Sequence, residues 1–305
     1  TYSQEYIEPY EDSFLVEAPH LFESYLWYME KDREPKKQFY LPRKGTLKTV
    51  VDDLQDLEDG KIMVYGLSMP PRTGKSTLCI FFLTWIMGRH PNNHNAMGGH
   101  SGMLAKGFYK EVMNILTSAE YNFGTIFPKV KLESKSADEY TINLNKPDRF
   151  ATLTCRGIEG SWTGAVDISR GGLLYVDDLV RDREESLSPI RLENLYQSFL
   201  NVMVDRMQDG AKMLIVATRW GLFDPLGREE LRLEGNSKAK FRKISALNEN
   251  DESNFQYLRN GFSTQFYHDM RERLDNAEWM AKFMQTDKSN LRARSRLATE
   301  NMANK

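Results

Sequence analysis

Met69-Pro70-Pro71-Arg72-Thr73-Gly74-Lys75-Ser76 is the stretch on which the reading of this chain turns. A loop that cradles phosphate groups follows the pattern GxxxxGK[ST]. Glycine lets backbone N–H groups point at phosphate oxygens, lysine neutralises their charge and the hydroxyl ligates Mg2+. The second half of the pattern is present, and Met69 stands where the first glycine belongs. A bare Gly-Lys-Ser is a common accident, so its flanks decide. Residues 62–67 read as an apolar strand, and residues 77–87 as a helix apolar on every side, which predicts burial between layers. Strand, loop and helix in that order are the setting the motif requires. Pro71, Arg72, Thr73, Gly74, Lys75, Ser76 and Thr77 are then the expected phosphate-contacting set.

Such a loop needs a carboxylate for Mg2+ at the end of a neighbouring strand and a polar group that orients the attacking water. Leu173-Leu174-Tyr175-Val176-Asp177-Asp178 offers both. Asp177 is expected to hold the metal together with Ser76, and Asp178 to act as the base. Val216-Ala217-Thr218 ends a further apolar strand, 213–217, and places a hydroxyl where a γ-phosphate could be sensed; Arg219-Trp220 follows. Asn145-Lys146-Pro147-Asp148 fits the guanine-reading NKxD pattern. It precedes the acidic strand instead of following it, and its Pro and Asp occupy turn-forming positions, so it reads as a hairpin turn.

Around these motifs, Leu47, Val50, Val51, Leu54 and Leu57 recur at helical spacing and Gly60 closes that helix. Residues 95–99 read as a strand, and Leu104, Phe108, Val112 and Ile115 as one face of the next helix. Residues 140–144 and 150–155 alternate as hairpin strands, and Ser188-Pro189 opens a helix reaching about residue 207. Strands alternating with helices predict an α/β fold with a mostly parallel central sheet and helices on both faces. Residues 1–45 read as an N-terminal arm and linker, 46–250 as the core, 251–290 as a C-terminal helical subdomain or linker, and 291–305 as a basic tail.

The 305 residues, 40% of them hydrophobic, suffice for a large buried core. The formal net charge of −2 leaves nucleic-acid partners open, because Lys and Arg can gather on one face. No apolar run approaches the roughly 20 residues of a membrane span, so no membrane partner is expected. Cys79 and Cys155 lie in apolar stretches and read as packed thiols, and the five histidines show no zinc spacing.

The motifs, taken together, resemble the large subunits of tailed-phage terminases. The resemblance is carried by 69–76, by Trp85-Ile86-Met87-Gly88-Arg89-His90-Pro91 and by Gly160-Ser161-Trp162-Thr163-Gly164. It continues through the stretch from Tyr175 to Glu185 and Ala217-Thr218-Arg219-Trp220, over about residues 46–285. It implies a P-loop NTPase of the additional-strand class, using ATP and Mg2+, that drives double-stranded DNA into a procapsid. By that resemblance Lys75 and Ser76 bind phosphates and Mg2+, Asp177 is the metal carboxylate, and Thr218 couples hydrolysis to movement. An arginine before the acidic strand, Arg170 or Arg156 here with Arg170 slightly favoured, is implied as a finger serving the neighbouring subunit. The family more often has Glu where Asp178 stands.

The implied partners are double-stranded DNA, the portal protein, the terminase small subunit and further copies in a homo-oligomeric ring, acting in the host cytoplasm. Arg181, Arg183, Arg228 and Arg232 are the candidate DNA contacts, although acidic neighbours surround them. Nothing after Gln285 carries the acidic clusters of the family's nuclease domain, so no DNA cleavage is expected. Two other classes stay open on the residues: another P-loop DNA translocase or helicase, and a nucleotide-binding assembly factor with little turnover.

Overall fold

Six strands run parallel, in spatial order 153–157, 95–99, 173–177, 212–217, 64–68 and 239–243, and the hairpin strands 141–144 and then 132–136 add antiparallel to the 153–157 edge. The computed structural model describes residues 12–145, 148–221 and 223–285. The strands are β1 (Val64–Ser68), β2 (Asn95–Gly99), β3 (Leu132–Ser136), β4 (Thr141–Leu144), β5 (Leu153–Gly157), β6 (Leu173–Asp177), β7 (Lys212–Ala217) and β8 (Ala239–Lys243). The central strands β1, β2, β6 and β7 are buried along almost their whole length because both faces are covered, the signature of buried parallel sheet. β7 lies between β1, which feeds the 69–76 loop, and β6, which ends in Asp177. That inserted strand makes the fold a P-loop NTPase of the additional-strand class.

The helices that matter for the site are α1 (Phe22–Met29), α2 (Lys44–Glu58), α3 (Lys75–Arg89), α4 (Gly102–Thr117), α5 (Pro189–Ser198), α6 (Pro225–Arg232), α7 (Thr264–Arg273) and α8 (Asn276–Lys282). α1 to α4 pack one face of the sheet with Leu67, Met97, Cys155 and Tyr175. α5 and α6 pack the other with Trp162, Val176, Phe199 and Ile215. α3 is buried nearly all round, from Leu78 to Gly88, as its unbroken apolar run requires. No helix among the described residues is long and apolar enough to cross a membrane.

The structure corrects the reading of 1–45 as arm and linker. In its described part, Phe22, Tyr25, Leu26 and Met29 are buried against α3, with Tyr25 Oη 2.8 Å from Thr84 Oγ1 and Trp85 Nε1 donating to the Ala18 carbonyl at 2.8 Å. The charged run 30–37 masked this, although its Glu30 is itself buried and accepts the Phe39 and Tyr40 amides at 2.8 and 3.1 Å. Up to Gln285, the 251–290 segment also joins the main core, through Phe255, Tyr267, Trp279 and Phe283. The 291–305 tail and Lys146-Pro147 of the hairpin turn lie outside the described residues. The helix expected to reach about residue 207 is α5 followed by a π turn, Phe199–Met203, and a 3-10 turn, Val204–Arg206.

Candidate active site

Parallel strands gather their carboxyl ends on one edge of a sheet, where α/β proteins hold ligands. Here that edge carries Ser68, Gly99, Gly157, Asp177 and Ala217. Between β1 and α3 the chain must turn sharply, and it does so with two left-handed residues, Arg72 at φ 63° and Gly74 at φ 102°. A Cβ at Gly74 would also lie 2.8 Å from the Phe39 ring, so conformation and space both demand glycine. Met69 is fully buried, which explains how the missing first glycine is tolerated: that position serves as a core anchor before the turn. Thr73 is buried as well, and its hydroxyl donates to the Pro70 carbonyl at 2.8 Å. Gly74 caps the first turn of α3, so the positive end of that helix and the loop amides face the same space.

Lys75 is the first residue of α3 and only 5% exposed. Its Nζ donates to Thr218 Oγ1 at 2.8 Å and lies 3.6 Å from Asp178 Oδ2. The segments 69–76, 177–178 and 218, the first and last of them tied by a bond that spans 143 residues of sequence, therefore meet at one ammonium group.

Asp177 is 1% exposed and its Oδ1 has no hydrogen-bond partner. Its other oxygen accepts the Tyr175 hydroxyl, which lies on the same face of β6 two residues earlier. Burial, reinforced by the adjacent Asp178 charge, pushes the Asp177 carboxyl up to about 7; Lys75, Tyr175 and the Ser76 hydroxyl pull the other way. Burial likewise raises the Tyr175 phenol well above its usual range, so it remains a donor. A buried carboxylate oxygen without a partner, facing a serine hydroxyl at the mouth of a phosphate loop, is a donor set that suits a hard divalent cation such as Mg2+.

Asp178 sits in the left-handed region at φ 41°. It is held there by its amide donating to the Val216 carbonyl at 3.0 Å and by Oδ1 accepting the Thr218 amide at 2.7 Å. His100, just past β2, donates from Nδ1 to the Asp178 carbonyl at 2.9 Å. The short Asp side chain thus ties the ends of β6 and β7 together and leaves Oδ2 turned toward Lys75. Arg219 beyond Thr218 is 6% exposed and pinned by Asp224 at 3.2 Å and Glu230 at 3.0 Å. Asp224 also caps α6, so the segment that carries Thr218 is stiff.

The two arginines expected as fingers separate. Arg156, in the last turn of β5 toward the ligand edge, is partly buried and donates to the Glu139 carbonyl. Arg170 lies before the start of β6, on the opposite edge, 79% exposed and 3.7 Å from Asp209. The length of β6, about 16 Å, stands between Arg170 and Asp177, so Arg170 is not part of the cluster within this subunit.

Sequence reasoning missed the residues behind the loop. The Tyr257 hydroxyl donates to the Thr73 carbonyl at 2.9 Å, and the Arg43 guanidinium stacks 4.8 Å from the Phe39 ring centre and 5.1 Å from that of Tyr257. No local signal marks Tyr257, 184 residues from its partner. Tyr175 could have been found, since strand period places it on the face of Asp177. Tyr257→Phe is expected to remove about 1 kcal/mol of loop support. If the loop holds ATP as its sequence leads one to expect, the KM for ATP should rise a few-fold with kcat nearly unchanged, as steady-state kinetics would read; an unchanged KM would show that the loop is held without it.

The chain is similar to a mutant of the large terminase ATPase domain of Thermus phage P74-26. The match covers 82% of this chain and 97% of that one, at 12% identity and a TM-score of 0.44. No family model and no curated protein matches the chain.

Proposed function

We propose that this chain is the ATPase domain of a tailed-phage terminase large subunit, which hydrolyses ATP with Mg2+ to drive double-stranded DNA into a procapsid. The observation that carries the reading is the convergence of Lys75, Asp177, Asp178 and Thr218 at the mouth of the 69–76 loop. In this reading the amides of Pro71 to Thr77, proline excepted, receive phosphate oxygens, and Lys75 neutralises them. Ser76 and Asp177 would hold Mg2+, which would supply neutralisation of phosphate charge. Asp178 takes the proton of the attacking water through Oδ2. Thr218 exchanges its bond with Lys75 for one with the γ-phosphate, and the stiff 218–224 segment passes that change to α6.

The finger supplied to a neighbouring copy is Arg156 or Arg170. Of the two, Arg156 shares the ligand edge. A finger contributes on the order of a thousandfold in rate or more, so the ring of copies would be far more active than the isolated chain. The portal protein, the small subunit and double-stranded DNA complete the assembly in the host cytoplasm.

A nucleotide-binding assembly factor with little turnover is the second reading, favoured by one observation: the Thr218 amide occupies Asp178 Oδ1. Phosphate release measured with Mg2+, portal and duplex DNA separates the two. Steady release that rises with DNA supports the motor; nucleotide binding without release supports the assembly factor.

A further inference from the structure

We infer that Lys106, Lys110 and Lys135 form a face that grips the phosphate backbone of duplex DNA beside the ATP site. The inference deepens the proposed function and rests on it. The fold has already committed several of its cations. Arg181 pairs with Glu185 at 3.5 Å, Arg183 with Asp275 at 2.7 Å, Arg228 with Glu193 at 2.6 Å and Arg232 with Glu229 at 2.6 Å. A phosphate reaching any of these would have to displace a carboxylate, so the arginines that the sequence offered as DNA contacts are structural ties. Lys106, Lys110 and Lys135 are exposed and have no ion pair among the described residues.

Topology brings the three together. Lys106 and Lys110 stand one turn apart on α4, opposite its buried stripe of Ala105, Phe108, Tyr109, Val112 and Ile115. Lys135 faces Ile142 across the β3–β4 pair, and residues directly opposite in an antiparallel pair point to the same side. Ile142 is buried in the same core as Phe108 and Tyr109, so Lys135 emerges on the side of the sheet that α4 covers. Rings of Tyr109 and Tyr140, 6.0 Å apart, fasten helix to hairpin. Glu111 turns to the other flank of α4, lining a pocket with Ser76, Thr77 and Ile80, and does not neutralise the lysines. Neither Glu133 nor Asp138 nor Glu139 of the hairpin pairs with them. Since α4 begins at Gly102, directly past the β2 end of the ligand edge, Lys106 stands about one turn along the helix from that edge.

The chemistry favours duplex over single strands. Single-strand binders stack bases on exposed aromatic rings, whereas the large apolar residues exposed near this face are Met103 and Leu132. Lysines alone read backbone charge without sequence, which suits a partner taken up whatever its sequence.

The test measures binding of a blunt random-sequence duplex to the full chain across a salt series, for wild type and Lys106→Gln/Lys110→Gln/Lys135→Gln. Each lost phosphate contact flattens the log–log salt slope by about 0.9. The triple variant should therefore lose about 2 to 3 from the slope and at least about tenfold in affinity at low salt, with DNA-free ATP hydrolysis unchanged. Arg181→Gln/Arg183→Gln should keep the wild-type slope. Should the triple variant misfold by circular dichroism, Lys106→Gln and Lys110→Gln singly should each flatten the slope by about 0.9. A triple variant with wild-type slope and affinity overturns the assignment of this face and leaves the motor reading intact. A larger loss on single strands than on duplex overturns the duplex assignment. A wild-type chain that hydrolyses ATP but never binds duplex overturns both.

Discussion

Asp177→Asn is expected to stabilise the nucleotide-free protein while abolishing Mg2+-dependent hydrolysis. The native carboxyl is buried, has an oxygen without a partner and sits beside the Asp178 charge. Its pKa of about 7 in the fold, against about 4 for an exposed Asp, means the folded state holds on to a proton that the unfolded chain gives up. For a raised pKa the contribution to stability is fully present below the unfolded value, near pH 4, and is lost as pH rises through 7. A shift of this size corresponds to a few kcal/mol at most, on the order of 1.4 per unit. Asn removes the charge and keeps the shape. The apo variant should melt several degrees higher than wild type at pH 8 and show no advantage at pH 4, in a thermal scan across pH. Equal melting temperatures at both pH values would mean that Asp177 is not held against its own charge. Mg2+ should reverse the order by stabilising wild type alone, with affinity that weakens below about pH 7 because the metal must displace that proton.

Lys75→Ala should lower ATP turnover by at least about a hundredfold, the scale set by removing one preorganised charge stabiliser. The side chain is buried, but its ammonium bonds Thr218 and neighbours Asp178, and α3 keeps its apolar body without it. Cooperative unfolding and secondary structure should therefore survive in circular dichroism. A variant with wild-type turnover would remove the phosphate-loop assignment, and one that does not fold would show that Lys75 serves the core.

The sequence made the centre of this fold legible because central parallel strands are apolar on both faces and the loop between β1 and α3 has strict chemical demands. Asp177, Asp178 and Thr218 could be placed because each directly ends an apolar run. What stayed hidden was what tertiary contact alone creates. Phe22, Tyr25 and Met29 lie in a stretch that ends in charged residues, so their burial has no local signature. β8 is a charged edge strand, Ala239–Lys243, whose partner is β1 far away in sequence. β3 is polar and exposed along its length. The choice between Arg156 and Arg170 could not be read from proximity in sequence, because a residue just before a strand lies at the strand's far end from the site.

In the proposed function the 69–76 loop and the acidic end of β6 hold one metal ion and one triphosphate. A double-mutant cycle measures it most directly, on the Mg2+-dependent gain in affinity for a non-hydrolysable ATP analogue by titration calorimetry, with Ser76→Ala, Asp177→Asn and the double variant. Groups that share one ion are not additive: each single variant should lose most of the Mg2+ effect, and the double variant should lose little more than the worse single. Losses that simply add would place Ser76 and Asp177 at separate sites and contradict the account.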